Sequence, residues 1–282
     1  MEKKLNSFVV AVFTIFLLFF CLLPLFFALG SIMNKNETIT QIAETDLPSN
    51  DVEVDAIRDT CLLTEGEDLG MQYVDRFVFL GESTTYGLWR YGILSQGTKT
   101  EQVWTGANAL NGKIQCAGTL SLSPTIAQTP IYYPNNKTAC TIAEAARQSK
   151  PEYLVVTMGL NNGASYYTED QFKQCYRILL NSVIEASEDT KIILQSIFPV
   201  AETCKVAAYT PERIRLCNTW IFDLAAEYNI KYLDTFSALA NENGFLKPQY
   251  ENGGDGIHLN EEGLSAVIHY IRTHGHPEEY TA

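Results

Sequence analysis

From Tyr73 onward the hydrophobic positions follow two rhythms. Short runs rich in β-branched and aromatic residues occur at Phe77–Leu80, Tyr153–Met158, Lys191–Ile197 and Lys231–Leu233, each of strand length. Between them, EDQFKQCYRILLNSVIEAS (169–187) and PERIRLCNTWIFDLAAEYN (211–229) repeat apolar residues every three or four positions, which predicts helices, and Pro211 suits a first helical turn. NEEGLSAVIHYIRTH (260–274) reads as a last helix capped by Asn260. Short apolar runs alternating with helical patterns predict a parallel sheet with crossover helices. Val103 to Pro134 breaks the rhythm. Rich in Gly, Thr, Ser and Asn without a period, it is expected to be a long irregular insertion, the kind of segment that often carries a site.

Ahead of this region, residues 8–30 carry no charge over 23 positions. At about 1.5 Å per residue such a helix crosses a bilayer core. Lys3 and Lys4 precede it, so residues 1–7 are expected to stay cytoplasmic and everything after about residue 31 to be exported. A cleaved signal peptide ending near Ala28-Leu29-Gly30 is the alternative, and the length of the run favours an uncleaved signal anchor. Residues 31–72 are polar and acidic without a sustained period and read as a stalk and lead-in; residues 73–282 form one domain.

Composition refines this picture. The formal charge of −13 argues against nucleic acid or anionic lipid as partner of the exported part, and by itself predicts no acidic substrate. Cys21 lies in the apolar run, leaving six of the seven cysteines outside it. In an exported chain, Cys61, Cys116, Cys140, Cys175, Cys204 and Cys217 could form three disulfides in fifteen connectivities, with Cys204–Cys217 as the first expectation; free buried thiols are the alternative. No Cys/His cluster suggests a metal. Asn36-Glu37-Thr38 and Asn136-Lys137-Thr138 are glycosylation sequons.

Three strand ends carry candidate chemistry, since ligands in open parallel sheets bind outside the carboxyl ends of the strands. Gly81-Glu82-Ser83-Thr84-Thr85 puts a hydroxyl on a strand-to-helix turn, where it is either a nucleophile near a helix N-terminus or simply a cap. Gly159-Leu160-Asn161-Asn162-Gly163 offers an Asn amide as oxyanion donor or an Asn-Gly turn. In Gly254-Asp255-Gly256-Ile257-His258, Asp255 can reach the His258 ring and leave its other nitrogen free as a base. Trp89, Tyr86, Trp104 and Tyr132-Tyr133 are candidates either for a sugar-binding cleft or for the core.

FLGESTTYG, GLNNG and DGIHLNEEG, in that order, resemble the blocks of the SGNH (GDSL-like) hydrolases, and the resemblance spans Tyr73 to about His274. VWT, GTLSL, KPEYLVVTMG, QSIFPV and IRTH are similar to stretches in a membrane-anchored bacterial subgroup. The resemblance implies a flavodoxin-like three-layer α/β/α fold with a mainly parallel sheet. It further implies Ser83 as nucleophile, His258 as base, Asp255 as its orienter, and an oxyanion hole of Asn161, the Ser83 amide and a glycine. For that glycine Gly106 and Gly118 are candidates, Gly118 being preferred. Glu82 departs from the family's usual Asp, and Asn162 stands where the GxND block has Asp; the threonines after Ser83 would cap or brace the turn.

Together these readings predict a membrane-tethered serine esterase acting on ester-linked small acyl groups of envelope or extracellular glycans, needing neither metal nor organic cofactor. An O-acyltransferase passing the acyl group from Ser83 to a sugar, and a catalytically silent glycan-binding domain, are the competing readings. Protein partners are not indicated.

Overall fold

The computed structural model describes residues 60–97 and 101–280. The apolar run 8–30, most of the 31–72 segment, Cys21 and the Asn36 sequon lie outside the described residues. Among the described residues no helix is long and apolar enough to cross a membrane.

The described strands are β1 (Phe77–Gly81), β2 (Val103–Trp104), β3 (Ala107–Leu110), β4 (Lys113–Cys116), β5 (Ile131–Tyr133), β6 (Thr138–Cys140), β7 (Tyr153–Thr157), β8 (Lys191–Gln195) and β9 (Lys231–Leu233). The helices are α1 (Gly70–Val74), α2 (Ser83–Arg90), α3 (Ile142–Ser149), α4 (Glu169–Ala186), α5 (Pro211–Tyr228), α6 (Thr235–Leu239) and α7 (Glu261–Thr273).

Five strands pair in parallel in the order β2-β1-β7-β8-β9. Ranked along the chain, that is the flavodoxin-like order 2-1-3-4-5. The direction of winding reverses between β1 and β7, whose pairing runs from Phe77↔Tyr153 to Gly81↔Thr157. A crevice therefore opens past Gly81 and Thr157, at the topological switch point where ligands bind in such sheets.

Alternation along the strands builds two cores. Leu80, Leu154, Val156, Ile192 and Leu194 face α3, α4 and α5. Phe77, Phe79, Tyr153, Val155 and Ile193 face α1, α2 and α7. The result is the expected three-layer α/β/α arrangement. The crossover helices start where the sequence marks them: Thr141 and Thr168 form capping boxes with Glu144 and Gln171, Thr210 caps α5 ahead of Pro211, and the Asn260 side chain accepts the Gly263 N–H at 2.9 Å.

Three expectations change. The 103–134 region is only partly irregular: β2 joins the central sheet through Phe79↔Val103, and β3–β4 and β5–β6 are antiparallel ribbons, while 117–130 holds no strand and one short 3-10 turn. Two-residue β2 is too short to show a period, β3 is exposed along most of its length, and the alternation of β4 spans only four residues. The runs ending at Met158 and Ile197 overshoot, because their last residues stay buried after leaving the ladder. The six described cysteines are free, so the Cys204–Cys217 bridge is absent. Cys217 lies on the buried face of α5, where burial pushes its thiol up to about 11, and the Cys204 backbone packs on Gly256. Cys61, Cys175 and Cys217 are buried and follow the alternative reading as small hydrophobes, while Cys116, Cys140 and Cys204 are half-buried. On the lead-in side, Leu62 bridges to Tyr232 beside β9, and Cys61 and Leu63 are buried.

Candidate active site

The nucleophile candidate sits where β1 turns into α2. Gly81 ends the strand in so tight a space that a Cβ there would lie 2.6 Å from the Thr157 carbonyl oxygen. Glu82 stays extended (φ −82°, ψ −162°), and Ser83 is the first residue of α2. No side chain caps this helix, so the simple capping reading of Ser83 and Thr84 fails. Thr84 and Thr85 are buried and pack rather than cap, and Thr85 Oγ1 has no hydrogen-bond partner among the described residues.

Glu82 is 2% exposed and spends its carboxyl on the neighbouring strand end. Oε1 accepts the N–H of Gly159 at 3.1 Å and of Asn161 at 3.2 Å; Oε2 accepts those of Leu160 and Asn161, both at 3.1 Å. Burial pushes its pKa up to about 8 against the lowering effect of these amides.

The β7 end is shaped by Gly159, whose φ of +114° and contact with Phe172 leave no room for a side chain. Asn161 and Asn162 follow, and both side chains reach the segment after β4. Asn161 Nδ2 donates to Leu120 O at 3.3 Å and Asn162 Nδ2 to Leu122 O at 3.0 Å. The Arg213 guanidinium, from the first turn of α5, donates to the carbonyls of Gly163, Ala164 and Tyr167 and holds the far side of this turn.

The third candidate, expected at a strand end, is not at one: α6 and a loop separate it from the end of β9, and it lies just before α7. Asp255 Oδ1 accepts the N–H groups of Ile257 (2.8 Å) and His258 (3.0 Å), while Oδ2 lies 2.6 Å from His258 Nδ1. Partial burial raises the Asp255 pKa, but the His258 and Ile257 amides and the His258 ring outweigh it and leave the carboxyl below its usual range. Gly256, at φ +72°, packs on the backbone of Cys204 and anchors the loop. Ser83 and His258 line one cavity of about 310 Å³, together with Tyr86, Arg90, Tyr91 and Asn252.

Gly118 (φ +62°) abuts Tyr86, a residue of that cavity. Gly106 packs against Thr119 and Leu120. Of the aromatic candidates, Tyr86 lines the cavity and stacks on Trp89 at 5.3 Å, whereas Trp104 and Tyr133 are core. Among the described residues no His/Cys/Asp/Glu group is placed to hold a metal ion.

The profile of the GDSL-like lipase/acylhydrolase family matches residues 79–266, from within β1 into α7, and so takes in Ser83, Asn161, Asp255 and His258. The chain belongs to the GDSL-like lipase/acylhydrolase family. A comparison with curated proteins returned no match. Solved structures resemble it at low identity. A GDSL-like lipase from Bacteroides thetaiotaomicron is 21% identical (TM-score 0.46; 77% of this chain and 93% of that one). The periplasmic domain of a lipopolysaccharide acetyltransferase from Salmonella ser. Paratyphi A is 15% identical (TM-score 0.45; 79% and 96%). A carbohydrate esterase family 3 protein from Talaromyces cellulolyticus is 19% identical (TM-score 0.43; 73% and 96%).

Within this acylhydrolase, three features escaped sequence reasoning. Arg213 lies 50 residues from Gly163 in sequence, and nothing local signals their contact. Glu82 stood out as unusual, yet its three amide partners are 77 to 79 residues away. Arg90 and Tyr91 carried a weak signal: Arg90 is seven residues after Ser83, on the same helical face.

Proposed function

We propose that this acylhydrolase is an exported, membrane-tethered serine esterase that removes small acyl groups from envelope or extracellular glycans. The observation that carries the reading is the joint placement of Ser83 and His258 in one cavity, with Asp255 Oδ2 2.6 Å from His258 Nδ1. That carboxylate selects the tautomer in which Nε2 is unprotonated and accepts a proton.

His258 Nε2 takes the Ser83 hydroxyl proton as Oγ bonds to the ester carbonyl carbon. The negative charge develops at the N-terminus of α2, where the Ser83 N–H and the helix dipole favour it. Asn161 adds a donor, because Nδ2 has a second hydrogen beyond the one given to Leu120 O. Gly118 is the proposed third donor. Collapse expels the alcohol with the proton from His258, and water then releases the acid from the acyl-enzyme by the same route. The uncharged run 8–30 supports the tether, and the modest cavity beside the stacked Tyr86 and Trp89 supports a small acyl group on a sugar.

The test is labelling of the full-length chain with a serine-reactive fluorophosphonate. Wild type is expected to label, Ser83→Ala not at all, and His258→Ala far more slowly. Equal labelling of wild type and Ser83→Ala would sink the reading.

A further inference from the structure

Arg90 puts a cation into the wall of the Ser83–His258 cavity. Ser83, Tyr86, Gly87 and Arg90 recur at three, four and seven positions along α2, so all four face the same way. Among the described residues Arg90 is the permanently charged side chain lining this cavity, and no carboxylate lines it. Among the described residues its guanidinium has no hydrogen-bond or ion-pair partner, and it lies over the Tyr91 ring, 6.0 Å from the centroid. Four other arginines of the domain are engaged: Arg76 with Glu152 and Glu279, Arg177 with Glu227, Arg272 with Asp68, and Arg213 with three carbonyls; Arg147 and Arg215 share the lack of a hydrogen-bond or ion-pair partner among the described residues, but neither lines this cavity. An exposed arginine in the last helical turn also complements the helix dipole, but that role does not require a place in the cavity.

We propose that Arg90 is a specificity-determining residue that recognises a negative charge, carboxylate or phosphate, carried by the ester substrate close to the scissile bond; the inference rests on the esterase reading of Ser83. Seven residues of helix separate the two Cα atoms by about 10 Å, and helical side chains lean toward the N-terminus, which shortens the span to the guanidinium. That reach is roughly one sugar ring. The cavity, about 310 Å³, is at the small end for ligand sites and suits such a unit, and Tyr86, which lies between Ser83 and Arg90 in sequence, lines the same wall. In a chain of net charge −13 the surrounding field disfavours anions, so a partnerless guanidinium inside the site is a selective local attractor.

The experiment compares three acetate esters with the full-length chain: methyl 3-O-acetyl-glucoside, the matching glucuronoside, and the glucoside 6-phosphate. Wild type is expected to favour at least one anionic ester over the neutral one by about tenfold or more in kcat/KM, and the carboxylate and phosphate arms tell which charge is read. The preference is expected to shrink with added salt, collapse in Arg90→Gln, survive in part in Arg90→Lys, and invert in Arg90→Glu. A ratio near one in wild type, or a ratio that Arg90→Gln leaves intact, overturns the inference while leaving the esterase standing. Binding separates the opposite case. The same glycosides are titrated against Ser83→Ala with and without Arg90→Gln. Arg90-dependent binding without hydrolysis by wild type removes the esterase and leaves Arg90 only as the anion-reading residue of the cavity. Binding indifferent to the residue at position 90 overturns it.

Discussion

Glu82 holds the backbone N–H of Asn161 through both carboxyl oxygens, at 3.2 Å to Oε1 and 3.1 Å to Oε2. The turn that carries Ser83 is thereby tied to the turn that carries the Asn161 amide, across the β1/β7 switch point. The longer acid leaves neither turn loose, since its reach extends to Gly159 and Leu160 as well.

Removing that carboxyl is expected to be costly. Glu82→Ala leaves the three amides without a protein acceptor, and a loss of about 3 kcal/mol or more is expected in urea unfolding, with labelling of Ser83 slowed. Glu82→Asp, one methylene shorter, should fall between the two. Wild-type stability in Glu82→Ala would show that the amides are satisfied elsewhere.

The same group predicts a pH dependence. Burial lifts the Glu82 pKa from 4.5 to about 8, so between those values the folded state holds a proton that the unfolded state has released. Its contribution to stability is full below about 4.5, declines as pH rises through this window, and levels off above 8. Urea midpoints from pH 5 to 9 should show this decline in wild type and lack that component in Glu82→Gln.

Asp255→Asn separates orientation from folding. Asn keeps an oxygen for the Ile257 and His258 amides but presents a neutral group to His258 Nδ1, so the loop should hold while the imidazolium loses its counter-charge. A fall in kcat/KM of about 10³- to 10⁴-fold is expected with little change in the urea midpoint. Activity within a few-fold of wild type would remove Asp255 from the mechanism.

Two glycines test the walls of the site. At Gly159, positive φ and a Cβ 2.7 Å from the Phe172 ring predict a loss of about 1–3 kcal/mol for Gly159→Ala. At Gly118 the added methyl would press on Tyr86, so Gly118→Ala should disturb kcat/KM along with stability.

Water and a sugar hydroxyl would compete for the same acyl-enzyme. With an activated acetate ester and an added glycan acceptor, free acetate is expected as the dominant product; predominant acetylation of the acceptor would identify a transferase instead.

How much of this was legible in the sequence follows from the range of the forces involved. The buried runs at β1, β7, β8 and β9, the long α4 and α5 patterns and the Asn260 cap are local, set by periodicity and capping within a few residues. The Asp255–His258 pair was equally local, because three residues of glycine-loosened loop bring the two side chains together. The ribbons of the 103–140 region were hidden, since their strands are only three or four residues long, and even the buried β5 is too short to establish a period. The free state of the cysteines depends on which helix faces are buried together. Above all, the sequence by itself determined the chemical groups at each strand end, while tertiary structure alone decided their mutual geometry. Strand order 2-1-3-4-5 places the ends of β1 and β7 side by side, and only that adjacency lets Glu82 reach Asn161 across 79 residues and puts His258, from the loop before the last helix, in the cavity of Ser83, with Arg90 facing them.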